Sequence, residues 1–325
     1  VKKATLYMAD PSVLASIARL MITMSGSRTV DELRYRPITG LEKLGTKGWK
    51  SPSLDGRLAI DAGQSVLLHY CIAMRVPAKE RIEEIDACTP ALPADAIRED
   101  RERRKEMVYI EAAKTAPIKV TDVPVAIDCV RGRVVIGDVS AVTCDTVASA
   151  LRALSAISDP PHSSGLGLRP YTPCDEDMHK LLRDLSLGFF NSVRTMHSDV
   201  ADDTAPEPED RFRLRTQVAR QRSTVTGRLI PAGDSIVRGC VEDDGMVFQS
   251  LGVNFGDFSC DLFEDCTVRA IKWHKDLNDE VLDEHAGDNH SLAIAEATLH
   301  AGCLLSVFGD LEGALEEISA QDGDG

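Results

Sequence analysis

Apolar residues recur along this chain at two spacings, and each change of spacing marks a change of element. Val13, Ile17, Leu20, Met21 and Met24 fall three or four residues apart and predict a helix over Asp10–Met24, with Pro11 suited to its first turn. Val147, Ala148, Leu151 and Leu154 do the same for a helix from Thr143 or Cys144 to Ile157, and Met178, Leu181, Leu182 and Leu185 for Asp175–Leu187. Shorter β-branched runs predict strands at Leu58–Ile60 and Ser65–Ala73, around a turn at Asp61–Gly63. Val123–Val130 and Arg133–Val139 form the clearest hairpin, because Gly132 between them can supply the positive φ of a tight turn.

Other segments are read from composition. Pro77 falls where a helix can open, with Ile82 and Ile85 on its apolar face. Asp95–Ala113 is dense in helix formers, and Glu99–Arg103 and Asp100–Arg104 are spaced for i,i+4 pairs. Its arginines form a candidate nucleic-acid stripe, but the interleaved acids favour a solvated helix. Strands are predicted near Ile236–Cys240, Met246–Leu251, Asp257–Leu262 and Val268–Trp273, then a helix over Ser291–Phe308 and a short one at 311–318. Breakers interrupt the pattern at Gly26–Pro52, Ser158–Pro173 and the acidic Asp199–Asp210. This mixture predicts an α+β fold of antiparallel sheets packed with helices. Its regions are residues 1–75 with 240–325, a central 76–160, and a variable 161–239.

Charge changes this picture. The chain of 325 residues has a formal net charge of −15, but residues 1–60 hold ten Lys/Arg against five Asp/Glu. Residues 201–325 hold ten against 26, a net of −16. Within that acidic stretch, residues 211–228 carry six arginines and no acid. Arg211, Arg213 and Arg215 alternate with Phe212 and Leu214, as on a half-buried strand with one charged face. A polyanion repelled by the whole chain can still meet a locally basic surface.

Several common catalytic and ligand-binding signatures are absent. No phosphate-binding G-x-x-x-x-G-K-[ST] loop, G-x-S-x-G elbow or H-E-x-x-H pair occurs, and Gly165–Gly167 lacks a strand-then-helix frame. His285 and His290 stand among acids, which reads as an acidic loop more readily than a metal site. Nine scattered cysteines without C-x-x-C spacing read as small hydrophobes in a reducing compartment. No run of about 18 apolar residues predicts a membrane span, and Val1–Asp10 lacks the apolar core of a signal peptide. No enzyme, cofactor or metal is expected.

Four segments carry a family resemblance: Lys43–Pro52 (KLGTKGWKSP), Ile127–Leu154 (IDCVRGRVVIGDVSAVTCDTVASALRAL), Phe258–Leu277 (FSCDLFEDCTVRAIKWHKDL) and Leu304–Ile318 (LLSVFGDLEGALEEI). In this order they resemble the bacterial recombination-associated protein RdgC family. The second is similar to its strand, turn, strand and helix passage, the third to its strand, acidic turn and strand. Between about 158 and 250 the chain departs from the family pattern.

The resemblance implies a crescent-like subunit forming a closed, ring-shaped homodimer that encircles double-stranded DNA without strong sequence preference. It implies limiting RecA recombinase access to DNA, in the cytoplasm and on the nucleoid. Candidate phosphate contacts are Arg211, Arg213, Arg215, Arg220, Arg222, Lys43, Lys47 and Lys50. Gly48 is expected to permit a turn and Trp49 to cover a core edge. The competing readings are an acidic protein-interaction or DNA-mimic module and, further off, a metal-dependent nuclease.

Overall fold

The computed structural model describes residues 2–23, 32–52, 57–63, 65–93, 97–137, 140–158, 166–187, 206–216, 224–228, 234–275, 277 and 289–323. Its frame is one antiparallel sheet. The strands are β1 (Lys3–Met8), β2 (Gly45–Lys50), β3 (Ala59–Asp61), β4 (Ser65–Arg75), β5 (Ile118–Asp128) and β6 (Arg133–Gly137). They continue with β7 (Arg169–Pro170), β8 (Glu207–Thr216), β9 (Thr224–Arg228), β10 (Met246–Asn254), β11 (Phe258–Phe263) and β12 (Val268–Trp273). The order across the sheet is β2-β4-β5-β6-β1-β12-β11-β10-β8-β9, with β3 on β4 and β7 on β1. Strands from all three sequence regions therefore share one sheet. The α+β class with antiparallel strands and packed helices stands.

The first strand holds the two halves together. Tyr7 pairs with Val134 on one side of β1, while Ala4 pairs with Val268 on the other. Sequence reading assigned no strand here, because six residues between two lysines and Asp10 give too short a pattern. The neighbouring β6 is buried at all five positions, so both of its faces are covered.

Helices cover both faces. On one side lie α1 (Pro11–Thr23) and α4 (Ala141–Ile157), whose stripes at Val13, Leu14, Ile17 and at Val147, Leu151, Leu154 meet Tyr7, Leu68, Val125 and Ile136. Asp10 begins α1 by accepting from the Ser12 amide at 2.8 Å, and Ser140 caps α4 from its side chain. The other core is built by α5 (Asp175–Ser186), α6 (Ser235–Glu242) and α7 (Asn289–Gly323) over β8, β10, β11 and β12. Between β4 and β5 a helical hairpin, α2 (Lys79–Cys88) and α3 (Arg98–Lys114), stands off the sheet, and α2 buries no side chain completely.

Several elements differ from expectation. Ile236–Cys240 was expected as a strand from its β-branched residues, but the segment is helical. Val237, Cys240 and Val241 stand at i, i+3 and i+4 and meet the core together, which a two-residue period could not achieve. Residues 207–210 of the expected acidic loop extend β8. Arg104 does not serve an Asp100 pair. Its guanidinium turns to the Asp86 carboxylate and donates to the carbonyls of Asp86, Thr89 and Pro90 at 2.9, 3.1 and 3.1 Å, tying α3 to the end of α2. Gly48 lies inside β2 rather than in a turn. A Cβ there would come within 2.6 Å of the Arg34 carbonyl carbon, because residues 33–35 run alongside β2. Trp49 is buried, edge-on to Tyr70 at 4.9 Å.

The two expected C-terminal helices are a single helix. At Gly309 the Arg133 guanidinium crosses α7, and a Cβ would meet it at 2.7 Å. Arg133 Nε donates to Glu312 Oε2 at 2.7 Å, and the Arg133 and Glu312 side chains are 10% and 14% exposed. By length and composition alone, Ile294–Gln321 is long and apolar enough to cross a membrane, a test that the core helix of a soluble protein also passes. In the fold its Leu304, Phe308, Leu311 and Leu315 are core residues.

Two outcomes follow from this docking. Glu312→Ala strands a buried guanidinium and is expected to cost about 3–5 kcal/mol in urea unfolding, whereas Glu83→Ala, at an exposed pair, leaves the midpoint in place. His300 stacks on Trp273 with ring centroids 3.8 Å apart, and burial pushes its imidazole down to about 4 from 6.5. Its neutral form is favoured by folding, so its contribution is complete above about pH 6.5 and is lost as pH falls towards 4. The stability profile of His300→Phe should be flatter across that window than that of the native chain.

Candidate nucleic-acid interface

The arginine strand forms as its alternation requires. On β8, Phe212 and Leu214 enter the core while Arg211, Arg213 and Arg215 share the opposite face. β8 lies between β10 and β9, with Arg213 opposite Ser250 on one side and Thr226 on the other.

That face also gathers carboxylates. Arg211 Nε donates to Glu209 at 2.9 Å, and its Nη1 lies 2.8 Å from Asp261 on β11. Arg215 makes a two-pronged contact with Glu264, at 3.0 and 2.8 Å, and His179 Nε2 approaches the same carboxylate oxygen at 3.3 Å. Burial pushes the Asp261 carboxyl above its ordinary range, against the pull of Arg211. Arg213 is exposed and has no ion pair among the described residues. Sequence reading missed these partners because Asp261 and Glu264 lie about fifty residues away and arrive only through the β10–β11 pairing. Arg220 and Arg222 lie outside the described residues.

The lysines occupy the other end of the sheet. Lys43 is exposed just before β2, Lys47 is exposed on it, and Lys50 pairs with Asp122 of β5 at 3.2 Å with both side chains nearly half exposed. Lys47 and Lys50 are three apart on one strand, so they point to opposite faces. From β2 to β8 there are eight strand steps, about 38 Å along the sheet. One chain therefore presents two separate basic places.

Lys119 extends the first of them. Met74 pairs with both Gly45 and Lys119, which puts Lys119 on the same face as Lys47. It was missed because the hairpin reading began at Val123, while β5 starts at Ile118. On α3, Arg101, Arg103 and Lys105 are exposed, Arg98 pairs with Glu102 at 2.8 Å, and Arg104 is turned inward, so the helix presents mixed charge.

Among the described residues no three His, Cys, Asp or Glu side chains are placed to hold a metal ion. His285 lies outside the described residues. All nine cysteines are free, and burial pushes the Cys71 and Cys129 thiols up to about 11, as for packed hydrophobes.

No protein-family model matches the chain, and no curated protein matches it. The ion pairs of β8 set two expected outcomes. Arg211→Ala leaves the half-buried Asp261 carboxylate short of its partner and should cost about 1–3 kcal/mol in denaturant unfolding. Arg213→Ala should leave stability within about 0.5 kcal/mol of the native chain.

Proposed function

We propose that this chain binds double-stranded DNA through its phosphates, with little sequence preference, as a ring-shaped homodimer that limits RecA recombinase access. No bond is made or broken, and the protein works in the cytoplasm on the nucleoid. The observation that carries the reading is the placement of the four segments resembling the RdgC family. Lys43–Pro52 contains β2, Ile127–Leu154 runs from the end of β5 through β6 into α4, and Phe258–Leu277 contains β11, its acidic turn and β12. Leu304–Ile318 lies within α7. Segments spread over most of the chain thus belong to one connected sheet and the helices packed on it, and the second follows the strand, turn, strand and helix order of the family.

The side chains best suited to phosphate are Arg213, Lys43 and Lys47, all exposed. Lys50 can exchange a solvent-exposed carboxylate for a phosphate at small cost. Arg211 and Arg215 are engaged in the sheet, and their use by DNA would leave Asp261, Glu209 and Glu264 uncompensated. Self-association is supported by the α2–α3 hairpin, where Met107, Ile97, Tyr109 and Ile110 are 60%, 59%, 39% and 38% exposed. Met107 and Ile110, three apart on α3, are neighbours on the helix surface, and adjoining exposed apolar side chains can mark an interaction surface.

A second reading, an acidic protein-interaction or DNA-mimic module, is favoured by one observation: the acid-rich half neutralises two of its own three strand arginines. Anisotropy of a labelled duplex at two salt concentrations separates the two. The native chain should bind at low salt and weaken steeply as salt rises, by counterion release. Replacing Lys43, Lys47 and Arg213 with alanine should lower affinity equally on unrelated sequences and reduce the salt slope by about 0.9 for each phosphate no longer neutralised. A folded chain that ignores duplex DNA at low salt overturns the reading.

A further inference from the structure

Between the sheet and the N-terminal half of α7 lies a cavity of about 210 Å³, partly open to solvent. Its origin is visible in the side chains. Ala126 and Gly137 on the sheet face Ala297 and Ala301 on the helix, and such short residues cannot fill the space between two packed layers. Leu67 and Leu304 close the apolar wall, and the polar lining comes from His69, Glu296 and His300. Its volume exceeds the roughly 150 Å³ that suffices for an apolar cavity to take up benzene.

We propose that this cavity is a binding site for a small, uncharged, planar aromatic molecule, between benzene and indole in size. A sheet face opposed by a helix lined with alanines makes a slot with two apolar walls, which suits a flat ring better than a branched chain. The histidines add polar lining without charge, since burial lowers the pKa of both His69 and His300. Glu296, half-buried in the lining, disfavours an anion. The site adjoins Lys50, the register partner of His69, but its lining uses none of the proposed phosphate contacts and it does not depend on the DNA reading.

The test uses indole and the full chain, followed by isothermal titration calorimetry and by ¹³C-methyl spectra of the leucines. Saturable indole binding is expected, with the methyl signals of Leu67 and Leu304 shifting along the same saturation curve. Ala301→Phe and, separately, Ala297→Phe should weaken binding about tenfold or more, because the added ring takes the ligand's space. Thermal unfolding of each variant establishes that it is folded. Absence of saturable binding by the native chain overturns the proposal. So do unshifted Leu67 and Leu304 signals at saturation, or a folded filled variant that binds indole as the native chain does.

Discussion

The contact between Arg133 and Glu312 is the constraint on which most of this architecture turns. Arg133 begins β6, next to β1 in the sheet, while Glu312 lies on α7, 179 residues later. Taking both charges out of water costs several kcal/mol per ion, so the pair is tolerable only if its geometry is held. The sheet holds Arg133 by pairing it with Met8 and Asp128. The helix holds Glu312 by burying Phe308, Leu311 and Leu315 in the core. At Gly309 a Cβ would come within 2.7 Å of the guanidinium tip, so a side chain there would press on the ion pair.

From that fixed point the surface electrostatics follow. The same sheet that joins the halves brings Asp261 and Glu264 beside the arginine strand, so a basic run in sequence becomes a largely compensated face in space. A phosphate arriving at Arg211 or Arg215 would exchange one anionic partner for another, and the displaced carboxylate would stay half-buried. Arg213, between them, gives up nothing of the kind. Under the proposed reading, affinity for DNA would rest on fewer side chains than the number of arginines in the segment suggests, and the lysines near β2 would gain in relative weight.

What could be read from the sequence was local. The stripe Val147, Leu151, Leu154 and the turn glycine Gly132, at φ 72°, needed no knowledge of the rest of the chain, and both lie where expected. Ile236–Cys240 misled because β-branched residues favour strands only where a neighbouring strand exists to pack them. There the partner was the core beneath Val237, and a helix reached it. The contact of Gly309 with Arg133 could not be read either, since the two are distant in sequence. The same holds for the candidate site: the exposure of Lys43, Lys47 and Arg213 follows from alternation and loop position, but the engagement of Arg211 and Arg215 is a product of strand order.

Strand order also bears on assembly. The two basic places lie at opposite ends of the sheet, too far apart for one phosphate cluster to meet both within a single chain. A twofold axis would change this, because an isologous contact repeats each patch on the partner. Two crescents meeting at both ends would set four basic places around one axis, and a duplex within them would meet cations from several directions with no single strong site. Weak, distributed contacts of this kind give salt-dependent binding with little sequence preference. An overall charge of −15 is then no obstacle, provided the surplus acids lie away from that axis.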